Sequence, residues 1–430
     1  MRSEWPEVRL GDHVDACLGK MLDVKKNKGT PEPYLGNSNV RWGTFDLVNL
    51  AEMRFEPHEE ERYGLLSGDL IVCEGGEPGR CAIWTGTNSP RMKIQKALHR
   101  IRPKGNLNNY FLYYWFCYAA KAGLLEQHFT GTTIKHLTGK AIAALKIPLP
   151  PIEFQVALVD VLKTLDDCIA LLRETNATLE AIVQALFKSW FVDFDPVHAR
   201  ARGEQPAGLT PEVAALFPDS VEESALGKIP KGWDVGVLGD VAETSRKQIK
   251  PEQLSAETLY VGLEHIPRKQ LGLDSWGTAG ELASAKSAFE RNDILFGKLR
   301  PYFHKVVIAP FEGVCSTDIL VCKAKQTAYH HYVAMHLFSD ELIAYADRLS
   351  NGAKMPRINW KDLAAYEVTI PPSEVAEQFY ILIEPMIARM LANVEQAQTL
   401  ANLRDTLLPR LISGQLRLSD AEQQLKDLAV

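Results

Sequence analysis

The chain of 430 residues is short of the features that usually declare chemistry of its own. Its seven cysteines are odd in number and include no C-x-x-C pair, which argues against a disulfide framework or a structural zinc site. Reduced thiols in the cytoplasm are the expectation. There is no excess of positive charge: 48 Lys and Arg stand against 54 Asp and Glu, for a net charge of −6. This argues against a protein that coats nucleic acid by bulk electrostatics, although a local basic face is not excluded. Long hydrophobic runs are also missing. The longest, "YFLYYWFCYAA" from Tyr110 to Ala120, is too short to span a bilayer and predicts a buried helix. The first residues, "MRSEWPEV", lack the basic start and apolar core of a signal peptide.

Catalytic signatures are equally scarce. The loop "CEGGEPGRC", Cys73 to Cys81, has no GK[ST] and so is no P-loop, and it lacks the context of a dinucleotide fingerprint. Neither GxSxG, HExxH, an NPPY-type methyltransferase motif nor a DEAD-type helicase box occurs. Asp195 with His198, and His330 with His331, have no third metal ligand at a recognisable spacing. Asp166 and Asp167 read as solvated charge on a helix surface. The expectation is a chain without catalysis.

What is present is a duplication. "LKIPLPPIEFQ" at Leu145 is answered by "YEVTIPPSEVAEQ" at Tyr366, each a short extended run, a proline pair and an acidic helix start. Pro151 and Pro372 lie 221 positions apart, and the same offset carries Gly131 onto Gly352, Leu137 onto Ile358 and Leu186 onto Leu407. Towards the N-terminus the offset drifts to 224 ("GDLIV" and "NDILF"), 226 ("YLGNSNV" and "YVGLEHI") and 228 ("VRLGD" and "VGVLGD"). Order is preserved throughout, as loops of slightly different length require.

The expected architecture is α+β. Residues 1–150 and 230–371 are two β-rich domains; 151–195 and 372–430 hold two long helices; and 196–229, rich in Pro, Ala and Gly, is a linker. Leu158, Leu162, Leu165, Ile169, Leu172, Asn176, Leu179, Val183, Leu186 and Trp190 follow an unbroken 4, 3 spacing, the heptad of a coiled coil. The matching positions of the second copy are apolar except Asn393 and Arg404. The economical expectation is that the two helices pair as an antiparallel coiled coil with an internal pseudo-twofold repeat. Packing of each helix on its own β-rich domain is the alternative. At about 1.5 Å per residue, a helix of roughly 40 residues spans about 60 Å and would serve as a spacer.

Polar, basic loops precede each proline pair. "TGTTIKHLTGK" offers Thr132, Thr133, Lys135 and His136; "SNGAKMPRINW" offers Lys354, Arg357 and Asn359. A second loop pair adds Arg80 in the first copy and Lys298, Arg300, Tyr302, His304 and Lys305 in the second, while Arg91, Lys93 and Lys96 add charge to the first. A close-approaching glycine, hydroxyls and cations bind phosphate oxygens, and Arg or Asn can also read base edges. The bland alternative is a solvated turn in each case. Duplicated as they are, the loops favour nucleic acid.

In this order, "GDLIVCEGGEPGRCAIW", "GTTIKHL", "LKIPLPPIEFQ", "NDILFGKLRPYFHKVVIA" and "IPPSEVAEQ" resemble the specificity subunit of type I restriction-modification systems. The resemblance implies two target recognition domains, each reading half of a split site in double-stranded DNA, and helices that space them. It implies docking of two modification subunits, which carry S-adenosylmethionine and methylate adenine, and, in systems that have them, of two restriction subunits, which use ATP and Mg. No cofactor is then expected in this chain. A duplicated coiled-coil adaptor that binds proteins, or a stand-alone hydrolase, is the competing reading.

Overall fold

The computed structural model describes residues 5–23, 27–87, 91–280, 282–350, 352 and 355–427. Two compact units divide it: Met1–Asp167 with Ala401–Val430, and Cys168–Leu400.

In the first unit the strand Leu70–Cys73 lies between Leu98–Pro103 and Cys81–Ile83 in a four-stranded sheet completed by Val14–Leu18. All four residues of its "LIVC" run are buried, so the run is uniformly apolar rather than alternating. A smaller sheet joins Thr30–Leu35 to Glu52–Phe55 and, in parallel, to Lys93–Ile94. The apolar run expected to form a buried helix spans Asn109–Lys121 and buries Phe111, Leu112, Tyr114, Trp115, Phe116 and Ala119. Asn108 starts it: its side chain accepts from the backbone N–H of Tyr110 and Phe111, filling donors that a helix start leaves open.

The second unit repeats the four-stranded sheet strand for strand and keeps the parallel pair of the smaller sheet, which here has five strands instead of three. Ala242–Thr244, Ile319–Ala324, Ile294–Gly297 and Val306–Ile308 stand in the order of their counterparts, and Leu259–Val261 pairs in parallel with Gly313–Cys315. The repetition reaches single bonds. Asp69 accepts from the Leu66 N–H at 2.8 Å and binds Arg102; Asp293, 224 positions on, accepts from the Glu290 N–H at 2.8 Å and binds Lys323. A Cβ on Gly11 would lie 2.9 Å from Ala143, and one on Gly239 would lie 3.0 Å from Ala364, the residues matched by the offsets of 228 and 221. Both glycines stay because nothing larger fits.

The long helices run Ile152–Phe191 and Ser373–Ile412, 40 residues each. Their polar heptad positions turn out to be partners. In the second unit Asn393, 1% exposed, donates to Asn176 Oδ1 at 2.8 Å, and Asn176 donates to the Met390 carbonyl at 3.0 Å. Phe379 packs against Trp190 and Phe191 with ring centroids 5.5 and 4.9 Å apart. These contacts run antiparallel. The C-terminal half of the first helix also packs on the β-rich domain of the other copy rather than on its own, since Glu180 accepts from the Leu271 N–H at 2.6 Å and Phe187 meets Tyr332. In the first unit Asp166 corrects the expectation of a solvated charge. It accepts from the Tyr114 hydroxyl at 2.7 Å and from Arg404 at 2.6 Å, because both partners arrive from elements distant in sequence.

The expected linker is folded onto the second unit. It forms the helix Asp195–Ala201 and the hairpin Val221–Ser224 with Gly227–Pro230. Phe217, 1% exposed, stacks edge-on against Trp190 and tilts against Trp233, which gives an alanine- and proline-rich stretch an aromatic anchor.

Candidate nucleic-acid interface

Each unit brings its two predicted loops together. In the first, the hairpin loop after Leu70–Cys73 presents the Glu74 carbonyl to the Leu137 N–H at 2.7 Å. Residues 130–136 form a closed turn, with the Thr130 and His136 backbones bonded both ways at 2.9 and 2.8 Å. His136 packs so close that a Cβ on Gly75 would lie 3.2 Å from its Nδ1. In the second unit Lys298 offers its carbonyl to the Ile358 N–H at 3.0 Å, and the Arg300 N–H donates to Pro356 at 2.7 Å. Thr138 and Asn359, matched by the offset of 221, both cap the short helix that follows.

The side chains are placed as follows. Thr132, Thr133 and Lys135 are exposed, His136 is half-buried, and the Lys135 ammonium sits 5.9 Å over the Phe129 ring. Arg80 is largely enclosed, donating to Glu77 at 3.1 Å and to the Asn37 carbonyl at 2.9 Å, so it ties the loop together. Arg91 is partly exposed at 4.0 Å from Glu60, and Lys96 is exposed. Lys93 is elsewhere. It is fully buried, 2.9 Å from Glu32, bonded also to Glu60 and to the Arg91 carbonyl at 2.7 Å. Its counterpart at 221 positions is Val314, 1% exposed. A lysine at a core position has its charge consumed by the fold, so Lys93 leaves the set of surface contacts.

In the second unit Lys298 and Arg300 are half-buried, and Tyr302 is 49% exposed with its ring edge-on to Phe303 at 4.7 Å. Arg300 has a left-handed backbone, φ +51°, and stands 5.9 Å over Phe303. Arg357 is exposed, 3.3 Å from Asp318. Asn359 is exposed too, and its carbonyl oxygen is committed to the cap. Lys354 lies outside the described residues. His304 is buried, bonded to the Phe338 carbonyl at 2.9 Å, and burial lowers its pKa, so it is a neutral structural group. Lys305 bonds the Leu263 carbonyl, and burial followed by the charge of Arg268 lowers its pKa.

One further cation, which the sequence loops do not include, joins this set. Arg268 is exposed and stacks 3.9 Å over Phe303, joining Arg300 and Tyr302 on the same ring. The signal available was the short basic run "PRK" at Pro267, which falls outside both loop pairs. Among the described residues no group of three His, Cys, Asp or Glu could hold a metal ion.

These two lobes, each joining a basic loop to a glycine-rich or basic hairpin, match a family model described as the type I restriction modification DNA specificity domain, over residues 2–181 and again over 230–402. The chain belongs to that family. It is 26% identical over 340 residues to the type I restriction enzyme MjaIX specificity subunit of Methanocaldococcus jannaschii, covering 76% of this chain and 74% of that one. To the HindI specificity subunit of Haemophilus influenzae it is 24% identical over 494 residues, covering 96% and 100%. Its fold is similar to the crystal structure of the type I S subunit from M. genitalium, with a TM-score of 0.54, 15% identity and 95% and 96% of the two chains covered. As a member of the family this chain is a non-catalytic DNA-recognition subunit with two recognition domains. The adaptor alternative has no support among these relatives.

Proposed function

We propose that each unit reads one half of a two-part duplex site through its own loop pair, with the two long helices setting the gap. The observation that carries this is the doubled juncture at Glu74 and Leu137 and at Lys298 and Ile358, one backbone bond repeated with cations and hydroxyls around it. Cations at a loop tip fix register on phosphates, and Arg, Asn or hydroxyl groups beside them can reach base edges in the major groove. Such a local patch is compatible with a net charge of −6, because only the facing surface must be basic. The chain acts with the other subunits of a restriction-modification system and with DNA. We assign it two modification subunits, supplying S-adenosylmethionine and adenine methylation, and two restriction subunits using ATP and Mg in systems that encode them. We place it in the cytoplasm; no helix among the described residues is long and apolar enough to cross a membrane.

The test is to exchange residues 1–150 for the matching domain of a relative and map methylated adenines in cells that also make the modification subunit. One half of the methylated motif should change while the other half stays. A motif altered in both halves, or unaltered, overturns independent reading.

A further inference from the structure

We propose that Ile134 and Met355 form a matched pair of apolar wedges, one per unit, that insert against the base stack of the half-site their unit reads. The inference rests on the DNA reading above and adds to it the residues that deform the duplex.

Large apolar side chains at loop tips are ordinarily scattered without pattern. These two are not. They are separated by the repeat offset of 221, and they are 62% and 51% exposed. Each is held out by the same device. Gly131, with φ +93°, turns so tightly that a Cβ would lie 2.3 Å from the Ile134 carbonyl oxygen, and Gly352, with φ +115°, would place one 3.0 Å from the Met355 carbonyl oxygen. Any L-residue at either glycine would open the turn and withdraw the tip. The duplicated glycine, packed against the carbonyl three positions on, therefore fixes where an exposed apolar group stands.

The surroundings select the partner. A protein-docking surface needs a contiguous apolar area. Around Ile134 the chain instead offers exposed Thr132, Thr133 and Lys135, and Met355 is followed after Pro356 by exposed Arg357. An exposed apolar side chain flanked along the chain by hydroxyls and a cation in one unit, and by a cation in the other, fits a surface that alternates phosphates with flat apolar base faces. Isoleucine and methionine are both among the residues that wedge between base steps and kink the duplex. An enzyme that modifies a base must first take it out of the stack, at a cost of about a few kcal/mol. A wedge at each half-site would lower that cost for a docked modification subunit.

The experiment uses the complex assembled with its modification subunits and duplexes carrying 2-aminopurine at successive half-site positions, a base whose fluorescence rises on unstacking. Ile134→Ser should weaken binding by about tenfold, the effect of losing most of a buried isoleucine side chain, and abolish the fluorescence rise in the first half-site alone. Met355→Ser should do the same in the other half-site. Ile134→Leu should keep both signals. The salt dependence of binding should stay at the wild-type slope in every variant, because no charge is removed. Unchanged affinity and fluorescence in both serine variants would overturn the wedge and leave DNA reading intact. Variants that lose the modification subunits while still binding DNA would show that the tips contact protein instead. A wild-type complex with no preference for its methylated motif would sink the DNA reading itself, and the wedge with it.

Discussion

Replacing Lys93 by Met separates a charge used by the fold from charges offered to a ligand. The ammonium lies between Glu32 and Glu60, whose side chains are 15% and 35% exposed, and beside the Phe55 ring at 5.7 Å. Methionine matches its length and apolar stem but leaves two carboxylates facing each other. Removing one partner of a fully buried ion pair costs about 3–5 kcal/mol. Because solvent reaches Glu60 in particular, we expect about 2–3 kcal/mol here. With a urea dependence of about 1–3 kcal/mol per molar, the midpoint of the first unit should fall by about 1 M. Hydrogen exchange of the strand Leu98–Pro103 against urea reports that unit, and its counterpart Ile319–Ala324 is the internal reference. DNA binding by the assembled complex should keep its wild-type salt slope. The double variant Lys135→Ala with His136→Ala should behave in the opposite way, with unchanged exchange and a slope reduced by about one for each phosphate no longer neutralised. Normal stability with a reduced slope in Lys93→Met would refute the structural role argued for this lysine.

Two further outcomes concern the second unit. Asn393→Leu alone leaves the half-buried Asn176 Oδ1 without its donor and should cost about 1 kcal/mol, whereas Asn176→Leu combined with Asn393→Leu should recover most of that loss. Equal losses in the single and double variants, read by urea melts, would show that the pair is not a unit. Acid should weaken this unit as well: burial lowers His336 to about 3, and burial with the adjacent His331 lowers His330 to about 4 against the pull of Glu384, both from 6.5. Above 6.5 both rings are neutral folded or unfolded; below it the unfolded chain takes up protons that the fold refuses, so stability falls as pH drops towards 4. Together they account for up to about 4 kcal/mol between roughly pH 6.5 and 5. Identical exchange stability of the helix His330–Phe338 at pH 7 and pH 5 would remove them as the cause.

The duplication is legible in the sequence because packing keeps the order of contacts fixed. Gly11 and Gly239 must each face an alanine at close range, so the glycine persists while the loops between it and that alanine change length. The heptad exceptions are also visible, but not what they mean. Asn176, Asn393 and Arg404 look like defects in an apolar seam until the partners that satisfy them are placed. Asp166 reads as solvated for the same reason, since nothing within four residues of it announces Tyr114 or Arg404. The buried lysine does carry a usable signal. Carrying the offset of 221 through the smaller sheet sets Lys93 against Val314, and a position that is valine in one copy argues for a core site in the other.

The same comparison shows why the reading surface is less legible than the frame. The backbone bond that docks the two loops is made by Glu74 in one unit and by Lys298 in the other. Only the peptide groups are needed for that bond, so the side chains above it are free to take opposite charges. Near Glu74 the first unit sets Glu77, held by Trp42 at 2.6 Å, whereas the second follows Lys298 with Arg300, which shares the Phe303 ring with Arg268, and sets Arg357 against Asp318. A fold whose joints use main-chain atoms can exchange its exposed residues without losing the joint. Two copies can then keep one architecture and present different surfaces, which is the condition for two half-sites of different sequence. Duplication therefore locates the loops, and it does not carry the side-chain chemistry of one copy over to the other.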